Sequence, residues 1–368
     1  MLMLLLVATA AQGQAKSKHT WNMDQGGLER HNATSRTLAE PLQRLWRYQA
    51  DDAVEAGVTF DGKHLFGAST GGVVFCLNPE DGKEIWKQNF DATGFYAAPA
   101  YHNDRLFLGD DRGVFRALDA KSGKELWKYD TSTEIQSSAA IVGDTVLVGA
   151  YDNFLYCFNQ SDGKIIWQYE IDGPVHCSPG VADGKAFIAG CDSILHAVDT
   201  AKGEEVWYTN LENYATAAPT IAEDTVIVGH YMGNIKAVKR SDGQQSWIYP
   251  KDESTEYAFH ASVAVRDGVV VAAGRDRKAH GITLKDGKAL WTFLTKGEID
   301  ATPLITGKRV YVASRDGNLY GLDLKTGEKK WEYVSGSAFV ATPAFHDGKI
   351  YIANMEGILF CFGPEKKK

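Results

Sequence analysis

The sequence predicts an all-β fold, an eight-bladed β-propeller of four-stranded antiparallel blades, on three observations. Trp46, Trp86, Trp127, Trp167, Trp207, Trp247, Trp291 and Trp331 recur at gaps of 40, 41, 40, 40, 40, 44 and 40 residues. The last seven each follow a Gly-containing turn, such as Asp162-Gly163-Lys164. Between them lie short alternating runs rich in β-branched and aromatic residues, with no sustained helical period.

Each period divides into four strands. In the second they are Ala97 to Tyr101, Arg105 to Gly109, Val114 to Asp119 and Glu125 to Tyr129. The turns between them fall at Asn103-Asp104, Asp111-Arg112-Gly113 and Ser122-Gly123, residues that supply tight-turn geometry. First strands are expected to begin near residues 55, 97, 137, 177, 217, 261, 301 and 341, which counts eight blades. The last stretch, Ala341 to Phe362, holds only three strands. Residues Gln43 to Tyr48 match the Trp-bearing strand and are predicted to complete that blade, joining the chain ends. One four-stranded sheet cannot bury both faces; radial packing lets each blade cover its neighbours and leaves only short edges. The expected organisation is a signal peptide at 1–15, an extension at 16–42, the propeller at 43–363 and a basic tail at 364–368. The extension, with Trp21 and Arg30-His31-Asn32, has no place in the repeat and is expected to run over one face and cover the channel.

Composition excludes other classes. Of 368 residues 44% are hydrophobic and 23% charged, which suits a packed core rather than disorder. A net charge of −8 gives no general basic surface for nucleic acid. Met1 to Ala11 is almost wholly apolar, shorter than the ~20 residues a membrane span needs. It fits the apolar core of an export signal, although no Lys or Arg precedes it. Small residues at Ala11-Gln12-Gly13 and Gly13-Gln14-Ala15 offer two cleavage points. The expectation is an exported monomer, periplasmic or extracellular, with peripheral outer-membrane association and no transmembrane span. Five Cys without CxxC spacing argue against a zinc site. Cys177 and Cys191 flank one hairpin turn, but strict pairing sets Cys177 opposite Gly190, so their bonding is left open. Cys76, Cys157 and Cys361 recur at one repeat position and read as small buried residues.

The turn before each Trp carries a further signature. Ala117-Leu118-Asp119-Ala120-Lys121-Ser122-Gly123-Lys124-Glu125-Leu126-Trp127 resembles the tryptophan-docking motif of pyrroloquinoline quinone (PQQ)-like propeller repeats. Gly321 to Trp331 and Ala197 to Trp207 follow it closely, and the resemblance spans roughly residues 43 to 363. In such repeats the Trp docks on the neighbouring blade, so all eight repeat Trp are read as structural. The family holds quinoprotein dehydrogenases and non-catalytic propellers such as BamB, the outer-membrane protein assembly factor. The enzymes carry a vicinal Cys pair, a calcium site and long insertions. This chain has no adjacent Cys and nearly minimal turns, so neither PQQ nor Ca is expected, and the resemblance favours the scaffold branch.

No catalytic residue or metal site is nominated. Asp110-Asp111 leads into a hairpin and reads as turn chemistry rather than an acid/base pair. The candidate constellation comes from stacking the repeats. A variable residue precedes two mostly small ones, often followed by Pro, as in His176-Cys177-Ser178-Pro179. Blade by blade that position reads Val54, Tyr96, Gln136, His176, Thr216, His260, Asp300 and Val340, expected near one mouth of the central channel. The ring reads first as the wall of a water-filled channel. Its Tyr96, Gln136, His176, His260 and Asp300 are the candidates for a ligand or ion. The 44-residue gap places an acidic loop at 251–257, where Glu256 and Tyr257 are candidates for a partner. The expected function is a non-enzymatic envelope scaffold that binds a protein. The alternatives are a small quinoprotein-like enzyme using the mouth, and a polysaccharide-binding or ligand-sensing propeller.

Overall fold

The computed structural model describes residues 21–251 and 258–364. The expected signal peptide, most of the basic tail, and Glu256 and Tyr257 lie outside the described residues. Eight antiparallel sheets of four strands make up the ring. The second blade has strands Ala100–His102, Arg105–Gly109, Val114–Asp119 and Glu125–Asp130, ordered from axis to perimeter. Closure follows the predicted route: Leu42–Gln49 pairs antiparallel with Ile358–Pro364, setting Trp46 against Cys361.

One expectation needs correction. The first strands begin later than residues 97 or 137, at Ala100, Ala140, Gly180, Thr220, Ala264, Leu304 and Ala344, and at Thr59 in the first blade. Proline explains it where it occurs. Pro99, Pro179, Pro219, Pro303 and Pro343 have no N–H to give a ladder, so pairing starts just after them.

The core lies between blades. Phe66, Val74 and Cys76 of the first blade pack with Leu106, Leu108 and Leu118 of the second, all at most 1% exposed. Every repeat Trp spans such a seam. The indole Nε1 of Trp127 donates to the Gln160 carbonyl of the next blade at 2.9 Å, and that of Trp331 to Leu42 at 3.0 Å across the closure. The other six make the same bond to Pro79, Ala120, Thr200, Arg240, Leu284 and Leu324. Glycine is required beneath the ring: Gly163 has φ +69°, and a Cβ there would sit 2.5 Å from Trp127. Asp119 holds the equivalent turn by accepting from the Ser122 amide at 2.8 Å. Cys76, Cys157 and Cys361 are buried, and Cys177 and Cys191 are free thiols.

In all eight blades the outermost pairing shifts register just before the Trp. The bulge throws the preceding residue outward. Ile85, Leu126, Ile166, Val206 and Leu290 consequently stand 46–49% exposed on five outer strands.

The extension does cover the channel, from 21 onward. Its carbonyls accept from the middle of successive inner strands: Trp21 from Phe60, Asn22 from Tyr101, Leu28 from Val181, Glu29 from Ile221, His31 from Val265 and Asn32 from Ile305, at 2.7–3.0 Å. The Ile141 amide donates to Met23 Sδ, and the Trp21 ring packs on Phe345, so the segment touches all eight blades. Ala33–Thr34 adds a parallel strand to Leu304–Thr306. Arg30 is 1% exposed and keys the segment in place. Its guanidinium donates to the carbonyls of Pro179 at 2.7 Å and Ser138 at 3.2 Å and pairs with Asp24 at 3.5 Å.

Candidate functional site

The chain entering each inner strand passes one mouth of the channel. There the variable residue of each repeat faces a central cavity of about 470 Å³. Tyr96, Gln136, His176, Thr216, His260, Asp300 and Val340 line it, as the repeat alignment expected. The first-blade member is corrected from Val54, which is fully buried, to Glu55. The ladder shows why. Thr59 pairs with Phe66 as Ala100 pairs with Phe107, which makes Glu55 the counterpart of Tyr96.

A second ring, missed in the sequence, comes from the turns between second and third strands. Thr70, Asp111, Tyr151, Cys191, Tyr231, Arg275, Arg315 and Met355 each donate a backbone N–H to the loop entering the inner strand. The signal was available, since each falls at one place in the repeat, just after the second strand. Gln25 was not legible, because the extension has no period. It reaches the mouth from below, is 6% exposed and forms the floor.

Charge at the mouth is internally matched. Asp300 accepts from Arg275 Nε at 3.0 Å and from Arg315 Nε at 2.5 Å. Burial alone would raise the Asp300 carboxyl, but the two guanidiniums hold it below the usual range. Glu298 lies 3.8 Å from Arg275. Burial raises Glu55 against the pull of Arg315. His176 is lowered by burial, and His260 by burial and Arg275, which favours neutral imidazoles. His176 Nδ1 lies 3.7 Å from Cys191 Sγ, whose thiol burial and Asp192 push up, away from a reactive thiolate.

Aromatic rings fill one arc of the mouth. Tyr151 donates to Gln136 Oε1 at 3.0 Å and packs on His176. Tyr231 lies between Tyr214, at 4.7 Å centroid separation, and His260, at 5.6 Å. Asp110 and Asp111 separate in role: Asp110 binds Arg116 at 2.7 Å, and Asp111 accepts from Thr93 and Gly94 at 2.8 Å.

The fold and mouth together define a Trp-docked, eight-bladed propeller with a plugged channel. A family profile described as outer membrane protein assembly factor BamB matches residues 37–150, 113–257 and 232–366, and the chain belongs to that family. Among curated protein sequences none is significantly similar. BamB from Moraxella catarrhalis superposes with a TM-score of 0.77 at 18% identity, covering 89% of this chain and 99% of that one. The computationally designed Ika8 protein gives 0.77 at 17% identity, covering 88% and 100%. The quinohemoprotein alcohol dehydrogenase from Comamonas testosteroni gives 0.80 at 14% identity, covering 95% and 82%. At these identities the likeness shows the fold alone.

The dehydrogenase neighbours raise the question of PQQ, a tricarboxylate. The mouth does not fit it. Both guanidiniums are already engaged by Asp300, and Glu55 and Glu298 add negative charge. Among the described residues no group of three or more His, Cys, Asp or Glu is arranged to hold a metal. No helix there is long and apolar enough to cross a membrane.

Proposed function

We propose that this chain is a non-enzymatic, protein-binding propeller of the bacterial envelope, serving as a scaffold in outer-membrane protein assembly. The observation that carries this reading is the row of apolar bulge residues. All eight repeat Trp are docked internally, yet Ile85, Leu126, Ile166, Val206 and Leu290 remain in solvent at one position of five outer strands. A half-exposed apolar side chain repeated at one position from blade to blade is available to another protein. Membership of the assembly-factor family supports the same reading. Export, with Met1 to Ala11 as the signal, belongs to this proposal.

The test is affinity purification of the full chain from crosslinked, detergent-solubilised envelopes, with bound proteins identified by mass spectrometry. An outer-membrane β-barrel assembly protein is expected, and the double variant Ile166→Glu, Val206→Glu is expected to lose it. Dye-linked alcohol oxidation by the purified chain, with no partner recovered, would overturn the proposal.

A further inference from the structure

The perimeter of the ring consists of eight outer strands, and each has one edge that no strand of the chain pairs. Such an edge is a template for another strand unless charge or proline guards it. The residue after each docked Trp stands in the middle of that edge. It is charged on four blades, as Lys87, Lys128, Glu332 and Arg47. The third blade's edge ends in Glu170, and the fourth's begins with Glu205. The fifth's runs into Pro250, which has no N–H to give. The sixth differs. Its strand, Ala289–Leu294, reads Ala-Leu-Trp-Thr-Phe-Leu, without a charge or a proline.

That edge presents both apolar side chains and free backbone. Leu290 is 46% and Leu294 64% exposed, with Thr292 exposed between them. The Thr295 amide donates inward to the Arg277 carbonyl, one step past the pairing of Leu294 with Lys278. Backbone groups along an antiparallel strand alternate in direction, so the N–H and C=O of Thr292 and Leu294 point away from the blade.

The order of the side chains selects the occupant. A two-fold axis through Thr292 sets the strand antiparallel to a second copy of itself. Thr292 then faces Thr292 and exchanges two backbone hydrogen bonds with it, while Leu290 faces Leu294 of the second copy on either side. The next pair outward is Lys288 with Lys296, and Lys288 is already held by Asp286 at 2.6 Å. The same operation sets lysine on lysine in the first and second blades, glutamate on glutamate in the seventh and arginine on arginine in the eighth. Like charges directly opposite are destabilising. In the third it sets Ile166 against Glu170, and in the fourth Val206 against Asn210. Of the eight described outer strands, the sixth alone matches leucine with leucine.

We propose that two copies of this chain associate through the outer edge of the sixth blade, Ala289–Leu294 pairing with itself about Thr292 so that two blades become one continuous sheet. This departs from the monomer expected from the sequence. It does not rest on the partner reading: of the apolar row assigned to the partner it uses Leu290 alone, and the Ile166→Glu, Val206→Glu variant leaves the edge intact.

The test is sedimentation velocity of the full chain from about 1 to 500 µM. A monomer–dimer equilibrium is expected, with a Kd of about 100 µM or tighter. Thr292→Lys and Thr292→Glu, both at an exposed site, are each expected to raise the Kd at least about tenfold, with Tm unchanged. An equimolar mixture of the two variants is expected to recover the dimer, because opposite charges then meet at the axis. A chain that sediments as a monomer across the whole range would overturn the proposal. So would a dimer that both single variants leave intact, or one that the mixture fails to restore.

Discussion

His230 shows how strongly one buried side chain can couple the ring to pH. It is 4% exposed, and its Nδ1 has no partner among the described residues. Burial, reinforced by Lys236, pushes its pKa down to about 4. The folded value lies below the unfolded one, so the unfolded chain binds the proton more readily. The stabilisation is therefore complete above about pH 6.5 and is lost as pH falls towards 4. His230→Asn is expected to flatten the fall in unfolding free energy across that window, by up to about 3 kcal/mol. Denaturant titrations at pH 7, 5.5 and 4 check it; equal slopes with pH in the two proteins would show that another group titrates. Asp300 behaves in the opposite chemical sense, as a carboxylate held charged by two guanidiniums.

Among the elements, the extension carries the sharpest expectation. Arg30→Ala removes hydrogen bonds to two blades and leaves the largely covered Asp24 carboxylate without its cation. Breaking a buried pair from one side costs about 3–5 kcal/mol, a fall in Tm of roughly 4–7 °C. Scanning calorimetry checks it, and an unchanged Tm would mean that the segment peels away without consequence. The extension's path was not legible in the sequence because it follows no period. Its side chains are chosen by eight different neighbours rather than by one repeated environment. The blades were legible for the converse reason. Arg105–Gly109 and Val114–Asp119 fall where alternation and turn residues put them. Inner strands were misjudged because an extended chain before a proline has the composition of a strand without its ladder. The ring slipped by one at Glu55 because Glu55-Ala56-Gly57-Val58 lacks the proline that marks most other blades. Of the mouth, the repeat alignment gave seven lining positions. Arg275 and Arg315 were not among the candidates, because they fall after the second strand and not at the stacked variable position.

For the whole molecule, stability rests on the ring having no open seam. Leu42–Gln49 closes the eighth blade, and Trp331 docks on the same segment through Leu42. Deleting residues 43–49 is expected to abolish the single cooperative unfolding transition, because one blade loses its outer strand and its neighbour loses a Trp acceptor. A deletion variant that melts at the parent temperature would refute closure as the source of cooperativity. The pairing of Leu42–Gln49 with Ile358–Pro364 also sets a timetable for biogenesis. The first long strand to leave the ribosome must wait for the last, and the contact spans nearly the whole polypeptide. A nascent chain therefore cannot lock into its ring midway. It stays open, with Leu42–Gln49 lacking its ladder partner, until the final strand arrives, and proofreading for completeness is built into the geometry.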